Sequence, residues 1–267
     1  MFCTLSFFLL MVFYLVRATV SNSFRDCSQF FYMQTPPTGI KGSNPKHICQ
    51  KYVDKLRYAT LYDSSHHLPL YSAYIFKKSN GKRRADTPWM YEYIYICVDD
   101  TPPLIEDSQT VLDDYIDAVD YRRGPLTPDQ HQADPEHKSS TYMLTNTVPL
   151  VTDFLDSSWN PYLNLIRQRL NNFCHSKSFI VTGVTFSGAA IKRDNRDRLV
   201  IPKHLWLAYC CPFMFPSYGG YALNEQTGNS VMEVPLKTLE SFLRSQADIY
   251  RDLAVFYKGC VSENPLE

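Results

Sequence analysis

The sequence predicts a domain of the α+β class, and two patterns indicate this class. Short runs rich in aromatic and β-branched residues, typical of strands, occur at residues 56–62, 70–76, 91–98, 179–184 and 200–209. Apolar residues recur with helical periodicity over residues 158–173 and 235–256. No internal repeat or low-complexity tract is visible, so a repeat protein and a helical bundle are both disfavoured.

The N-terminus is typical of a secretory signal peptide of residues 1–18. Residues 5–15 are almost wholly apolar, and Val16-Arg17-Ala18 places small residues at the minus-three and minus-one positions of a cleavage site. A membrane anchor is the alternative, but this apolar run is shorter than the ~20 residues that span a bilayer. We expect a secreted, extracellular protein whose mature chain, residues 19–267, is a single domain without a membrane span.

The cysteines indicate structural disulfides. The chain has 8 cysteines, of which Cys3 leaves with the signal peptide. In an oxidising compartment most of the others should pair, and no spacing resembles a zinc site. Cys27 and Cys49 close a short loop and are the first expected pair, while Cys97 lies in the run 91–98 and is the expected free thiol. The remaining candidates, which pair among themselves in an order left open, are Cys174, Cys210, Cys211 and Cys260.

The charge balance does not favour a protein that is basic overall. Lysine and arginine number 27, as do aspartate and glutamate. Proteins that grip phosphate backbones are usually basic, at least on one face. Here only local clusters qualify, and solvated charged surfaces are the alternative interpretation. The candidate nucleic-acid-binding residues are Arg122, Arg123, Arg167, Lys192 and Arg193.

Several motifs, in order, resemble the DNA/RNA non-specific endonuclease family over residues 24–211. They are residues 58–62 (YATLY), 69–74 (PLYSAY), 123–124 (RG), 142–149 (YMLTNTVP), Trp159, 180–183 (IVTG) and 201–206 (IPKHLW). Within the family, residues 27–32, 48–50 and 210–211 resemble the vertebrate endonuclease domain-containing 1 proteins. The resemblance implies a ββα-metal fold, with a central, mostly antiparallel sheet flanked by helices.

The resemblance also implies a chemistry, namely metal-dependent hydrolysis of phosphodiester bonds in DNA and RNA. In the family, the histidine of an Asp-Arg-Gly-His motif is the general base that activates water. An asparagine on the following helix holds one divalent ion, usually magnesium, and a glutamate one turn further on orients the water shell of the metal.

At the corresponding positions this sequence departs from the family. Arg122 stands at the position of the aspartate, and Pro125 at that of the histidine general base. Counting from Trp159 places Leu155 at the metal-ligand position and Leu163 at the orienting glutamate. Proline takes no proton and leucine ligates no magnesium, so these catalytic and metal positions are expected to be degenerate.

Two catalytic-region residues, Arg123 and Asn146, do match the family. We expect them to brace the loop by hydrogen bonds. The chain is then interpreted as a pseudo-enzyme without a cofactor that binds DNA, RNA or a protein partner. The alternative is an active, magnesium-dependent non-specific endonuclease.

Two segments that contain histidines are candidate replacement sites. Residues 124–140 hold three prolines and the bases and carboxylates Asp129, His131, Asp134, Glu136 and His137, and long ordered loops are often functional. A rebuilt site is conceivable there, but a solvated polar loop is favoured. His66 and His67 are adjacent, so on an extended segment they face opposite sides. They are expected in a hairpin loop before Pro69 and not as a metal pair.

Overall fold

The computed structural model describes residues 19–83, 86–92, 105–213, 216–246 and 252–261. The strands are β1 (Thr19–Ser21), β2 (Pro45–Tyr52), β3 (Lys55–Asp63), β4 (Leu68–Phe76), β5 (Tyr121–Pro125), β6 (Thr147–Val151), β7 (Ser178–Arg193), β8 (Arg196–Cys210), β9 (Tyr218–Leu223) and β10 (Met232–Pro235). The α-helices are α1 (Ile105–Ser108), α2 (Pro135–Ser140), α3 (Thr152–Phe154), α4 (Asn160–Phe173) and α5 (Leu236–Gln246).

Eight of these strands form one antiparallel sheet in the order β1-β2-β3-β4-β7-β8-β9-β10. The predicted runs at 56–62, 70–76, 179–184 and 200–209 lie in β3, β4, β7 and β8, so these predictions are confirmed. β7 lies between β4 and β8 in the middle of the sheet, and its buried residues contribute to the apolar clusters on both faces. The run predicted at 91–98 falls largely outside the described residues.

A smaller unit consists of the two-stranded ribbon β5-β6 and the helix that follows it. Tyr121 pairs with Val151 at one end and Pro125 with Thr147 at the other. The chain then turns through α3 and a π-helical turn, Leu155–Trp159, into α4. α4 confirms the helix predicted at 158–173, and two strands followed by a helix form the ββα arrangement.

Successive side chains of a strand point to opposite faces of the sheet. Both faces of the large sheet carry apolar residues and are covered by other elements. One face packs against α3, α4 and the ribbon, and its apolar residues include Tyr58, Tyr74, Ile180, Leu207, Trp159, Ile166 and Leu170. The opposite face packs against α5 and the N-terminal segment, and includes Leu61, Tyr71, Val181, Trp206, Phe24, Phe31 and Leu239.

The helix predicted over residues 235–256 is wrong at its C-terminal end. α5 ends at Gln246, and residues 252–256 are not helical. Leu253 and Val255 are fully buried while Ala254 between them forms a β-bridge with Thr38. This alternation of buried and half-buried residues fits an extended segment. The apolar residues of this run also fit helical periodicity, so the sequence pattern alone did not distinguish the two. Within the described residues no helix is both long and apolar enough to cross a membrane.

Three disulfides tie the described chain together. Cys27 pairs with Cys49, as expected from the sequence. The pairs left open are Cys174 with Cys211 and Cys210 with Cys260. Cys210 and Cys211 are neighbours at the end of β8, so they point to opposite faces of the sheet. Cys210 therefore lies in the cluster under α5 and Cys211 in the cluster under α4. Cys97 lies outside the described residues.

Candidate nuclease-type site

The candidate site lies at the end of the β5-β6 ribbon, where the chain enters residues 126–146. Pro125 is the last residue of β5 and pairs with Thr147. The next amide, of Leu126, donates to the backbone oxygen of Asn146 at 2.8 Å. Gly124 leaves room for Leu150, since a Cβ at Gly124 would lie 2.2 Å from the Leu150 Cδ1 atom. The Arg-Gly-Pro motif and Asn146 are therefore direct neighbours.

The side-chain amide of Asn146 is fully used inside the protein. Its Oδ1 accepts from the Ser72 hydroxyl and from the Thr127 amide, each at 3.0 Å. Its Nδ2 donates to the carbonyl oxygens of Thr127 at 3.2 Å and Thr141 at 2.9 Å. The side chain is completely buried. Asn146 therefore fixes the start and end of the long loop against β4. All hydrogen-bond donors and acceptors of its side-chain amide are used within the protein, so none is left for a substrate.

The two residues that the motif spacing places at the family's metal positions have side chains that do not fit a magnesium ion. Leu155 and Leu163 are both buried in the apolar cluster that includes Phe154 and Trp159. Magnesium takes oxygen ligands, and a hydrocarbon side chain offers none. Nor does the described part of the chain contain a group of three or more histidine, cysteine, aspartate or glutamate side chains placed to hold a metal.

The loop between the ribbon strands is buried over residues 126–132 and 137–141, so the expectation of a solvated polar loop is wrong there; residues 133–136 reach solvent. Gln130, His131 and Gln132 are all buried under the fold. His131 donates from Nε2 to the Leu163 carbonyl oxygen at 2.8 Å and accepts at Nδ1 from the Tyr74 hydroxyl at 2.8 Å. Burial lowers the pKa of His131 to about 4. Both ring nitrogens are occupied, and the ring is neutral near pH 7.

The carboxylates and second histidine of this loop have structural partners as well. Asp134 caps helix α2 by accepting from the His137 amide at 2.7 Å. His137 donates from Nε2 to the Arg57 carbonyl oxygen at 2.8 Å, and the Arg57 guanidinium donates to Glu136 at 2.7 Å. Asp129 accepts from the Tyr142 hydroxyl at 2.8 Å. These contacts fold the loop, and they do not converge on a replacement catalytic site.

His66 and His67 lie in the turn between β3 and β4, ahead of Pro69, as expected. His66 contacts Asp63 through Nδ1 at 3.0 Å. His67 instead lies against the Arg198 and Asp107 carbonyl oxygens, at 2.9 and 3.3 Å. The two rings thus serve separate contacts.

Among the basic candidates, Arg123 has a guanidinium that contacts aromatic rings instead of a carboxylate. Its guanidinium carbon lies 5.3 Å from the ring centre of Trp89 and 5.4 Å from that of Tyr115. Such placement over aromatic faces is a cation–π contact. It holds Arg123 in place without neutralising it, and no ion pair to a described carboxylate is formed. Arg123 remains half-exposed.

The other basic candidates are tied to acceptors. Arg122 forms an exposed ion pair with Asp156 at 2.6 Å, and Lys192 one with Asp197 at 3.6 Å. Arg167 donates to the Ser79 carbonyl oxygen at 2.8 Å and to Asn164. Arg193 reaches Asp114 at 3.2 Å and also pairs with Glu106. Arg167 and Arg193 thus hold segments together on different sides of the fold, while Arg122 and Arg123 are neighbours on β5.

Two aromatic residues at this surface were not selected from the sequence. Trp89 and Tyr142 are half-exposed, with ring centres 5.1 Å apart. The bridge between Met90 and Met143 brings their segments together. The run Pro88-Trp89-Met90-Tyr91 places a tryptophan next to a proline, which is a pattern typical of a surface loop. The sequence does not predict which residues lie next to this tryptophan in the fold.

Comparison with known proteins agrees with this architecture. Residues 36–252 match the model of the DNA/RNA non-specific endonuclease family. The chain therefore belongs to that family.

Among curated proteins the chain is similar to the Endonuclease domain-containing 1 proteins of Mus musculus and Homo sapiens. Identity is 28% over 249 residues and 26% over 248 residues, and each match covers 86% of this chain. Each covers 47% of the relative, so this chain spans about half the length of these relatives. A solved structure of the EndoG/EndoGI complex matches with a TM-score of 0.52 at 16% identity, over 69% of this chain and 80% of that one. This likeness supports the fold.

Proposed function

We propose that this protein is a secreted, catalytically impaired member of the family that binds nucleic acid without cutting it. One observation carries the proposal: Pro125, Leu155 and Leu163 stand where the family has its base, its metal ligand and its orienting carboxylate. The latter two are buried in the apolar core. These three side chains offer neither a proton acceptor nor an oxygen ligand for a metal.

The size of the chemical defect supports this proposal. Loss of a general base alone costs about 10²- to 10⁴-fold in rate. His131 is the nearest histidine to Pro125 along the chain, but its two ring nitrogens are hydrogen-bonded to Tyr74 and Leu163. Nε2 already carries a proton, so the ring could accept a proton from water only if the buried hydrogen bond from the Tyr74 hydroxyl to Nδ1 broke.

Binding is supported by the surface that remains. Arg123 on β5 is half-exposed, and its guanidinium forms no ion pair with a described carboxylate. Arg122, the next residue, faces the opposite side of the strand and is paired with Asp156, and its positive charge disfavours a metal ion at the position of the family's aspartate. Phosphate contacts of this kind are electrostatic and sequence-independent. Protein partners are the other outcome, since charge on the whole chain is balanced.

Secretion is supported by two independent features. The apolar residues 5–15 precede a plausible cleavage site at Ala18. Three disulfides in the described chain are typical of proteins that fold in an oxidising compartment. Detection of a chain beginning at Thr19 in the culture medium of expressing cells would test this part; retention of residues 1–18 would contradict it.

The catalytic proposal is tested by incubating the purified mature protein with plasmid DNA and with RNA, with and without magnesium. The matched control is the triple variant Pro125→His, Leu155→Asn and Leu163→Glu. We expect the natural protein to bind but leave both substrates intact. Robust magnesium-dependent cleavage by the natural protein would overturn the proposal, and binding to neither substrate would favour a protein partner. A salt titration separates phosphate-driven binding from the rest, because affinity then falls steeply with salt.

A further inference from the structure

We propose that a cation–aromatic strip, formed by Arg83, Trp89, Tyr142 and Arg123, binds single-stranded nucleic acid in preference to duplex. The inference rests on the proposed function, and it adds the form of the nucleic acid and the residues that select it.

The strip is continuous through contacts. The ring of Trp89 lies 5.1 Å from that of Tyr142, and the Arg123 guanidinium lies 5.3 Å from the Trp89 ring. On the other side the Tyr142 hydroxyl donates to Asp129, which pairs with Arg83 at 3.4 Å. Arg123 therefore lies at one end of a pair of aromatic rings, and Arg83, paired with the buried Asp129, lies at the other.

The strip is open to solvent, although its supports are buried. Trp89, Tyr142 and Arg123 are half-exposed, and the Arg83 side chain keeps 44% of its surface exposed. Asp129 beneath them is 1% exposed, and Tyr115, which backs Arg123, is 8% exposed. The exposed part of the strip therefore presents rings and guanidinium groups, while the Asp129 carboxylate that pairs with Arg83 is buried.

This combination fits a strand whose bases are accessible. Proteins that bind single strands pair cations for the phosphates with aromatic rings on which bases stack, and stacking tolerates any sequence. In a duplex the bases are already stacked on each other, so a surface tryptophan gains little. Phosphate contacts alone do not make this distinction. The two central rings are thus the part of the surface that selects single strands.

Intrinsic fluorescence gives a direct readout of the stacking. The chain has 3 tryptophans, and Trp159 and Trp206 are buried at 1% and 0% exposure. Quenching by an added oligonucleotide therefore reports on Trp89. We expect a dT oligomer to quench the emission of the natural protein, and a duplex of the same length to quench it less.

Binding of variants completes the test, with equilibrium titrations of fluorescein-labelled single strand and duplex at one salt concentration. Trp89→Leu should weaken binding of the single strand about tenfold and of the duplex less than twofold. Trp89→Phe, which keeps a ring, should stay close to the natural protein. Phe213→Leu is the matched control, because Phe213 is an exposed aromatic residue at 69% exposure outside the strip.

The outcomes separate the inference from the function it rests on. Equal binding of single strand and duplex, unchanged or equally weakened by Trp89→Leu, would overturn the inference and leave a nucleic-acid-binding protein. Loss with Trp89→Phe as well as Trp89→Leu would show that the ring supports the fold without stacking, and would also overturn it. Absence of binding to either nucleic acid would remove the proposed function itself.

Discussion

The Nε2 atom of His131 donates a hydrogen bond of 2.8 Å to the backbone carbonyl oxygen of Leu163. Because a carbonyl only accepts, Nε2 carries the proton, and Nδ1 is free to accept from the Tyr74 hydroxyl at 2.8 Å. One neutral ring thus joins the long loop to α4 on one side and to β4 on the other. The first part of the long loop, residues 126–132, is thereby held as part of the core.

A first prediction concerns the strength of this link. Tyr74→Phe leaves the buried Nδ1 of His131 without a donor, so we expect the free energy of unfolding to fall by about 1–3 kcal/mol. His131→Phe should cost a similar amount. The double variant should cost less than the sum, because both polar groups leave together. Denaturant unfolding of all four proteins measures this coupling, with Tyr221→Phe as control; additive losses would contradict a direct link.

A second prediction follows from the pKa of His131, which burial lowers to about 4. The unfolded chain takes up the proton near pH 6.5. Between these values only the unfolded state is protonated, so stability falls as pH drops from about 6.5 to 4. The loss from His131 should reach roughly 3 kcal/mol at pH 4.

The same direction holds for His137 and His204, whose pKa values burial also lowers to about 4. The contribution of His131 is therefore isolated by comparison with His131→Phe. Unfolding free energies measured from pH 7 to pH 4 should decline less steeply in the variant. Parallel curves would show that His131 is accessible to protons in the folded protein.

A third prediction concerns Asp63, which is completely buried. Its carboxylate accepts from the amides of Ser43 at 2.7 Å, Asn44 at 3.2 Å and Ser65 at 3.0 Å, and from His66 at 3.0 Å. Burial alone would raise the pKa of Asp63, but these hydrogen bonds together lower it. The carboxylate therefore stabilises the fold above the unfolded pKa near 3.9, and this contribution is lost as pH falls through the lower folded value.

Asp63→Asn replaces one acceptor oxygen by an amide donor that faces these donors. We expect it to lower the free energy of unfolding by about 1–3 kcal/mol at pH 7. Asp54→Asn, at an exposed turn position, is the matched control and should change stability by less than about 0.5 kcal/mol. Thermal unfolding of the two variants decides the point, and equal effects would show that the network contributes nothing.

The long strands could be predicted from the sequence because their apolar runs are continuous, as in β7 and β8. β9 could not, since Gly219 and Gly220 read as a turn. In the fold, a Cβ at Gly219 would lie 2.4 Å from the Leu239 side chain, and one at Gly220 would lie 2.5 Å from the Tyr162 hydroxyl. Packing of α5 and α4 on the strand, which no local pattern contains, requires these glycines.

The candidate site divides in the same way. The identities of Pro125 and Leu155 can be read directly from the motif spacing. The burial of residues 126–132 cannot, because their polar composition is typical of a solvated loop. His131 finds its partners Tyr74 and Leu163 at 57 and 32 residues along the chain. Such contacts form only once distant segments have been brought together by the fold, so a local sequence pattern cannot predict them. The same holds for the position of Trp89 beside Arg123.

A fourth prediction concerns the disulfides. In a chain-entropy account, stabilisation grows with the loop that the bond closes. Removal of Cys210–Cys260, which spans 50 residues, should cost about 4 kcal/mol, and removal of Cys27–Cys49, which spans 22, about 3 kcal/mol. Unfolding of the double alanine variants under non-reducing conditions tests the order. Peptide mapping tests the pairing itself, and a peptide that joins Cys174 to Cys210 would contradict it.

A fifth prediction compares two glycines with different surroundings. At Gly183, in the centre of β7, a Cβ would lie 2.4 Å from the Trp206 ring and 2.7 Å from the Leu70 carbonyl oxygen. The ring is fully buried and the carbonyl belongs to the neighbouring strand β4, so neither can move without displacing the sheet. Gly183→Ala should therefore lower the free energy of unfolding by about 3 kcal/mol or more.

Gly124, within the Arg-Gly-Pro motif, presents the opposite case. There the close atoms are the Leu150 Cδ1 and Cγ, at 2.2 and 2.7 Å, which belong to a side chain that can change rotamer. We expect Gly124→Ala to cost about 1 kcal/mol, less than Gly183→Ala. Denaturant unfolding of the two variants gives the order directly. If Gly124→Ala instead lowers the free energy of unfolding more than Gly183→Ala does, the ribbon that carries Arg123 is held more rigidly than the centre of the sheet. The glycine of the motif would then be required for packing against Leu150.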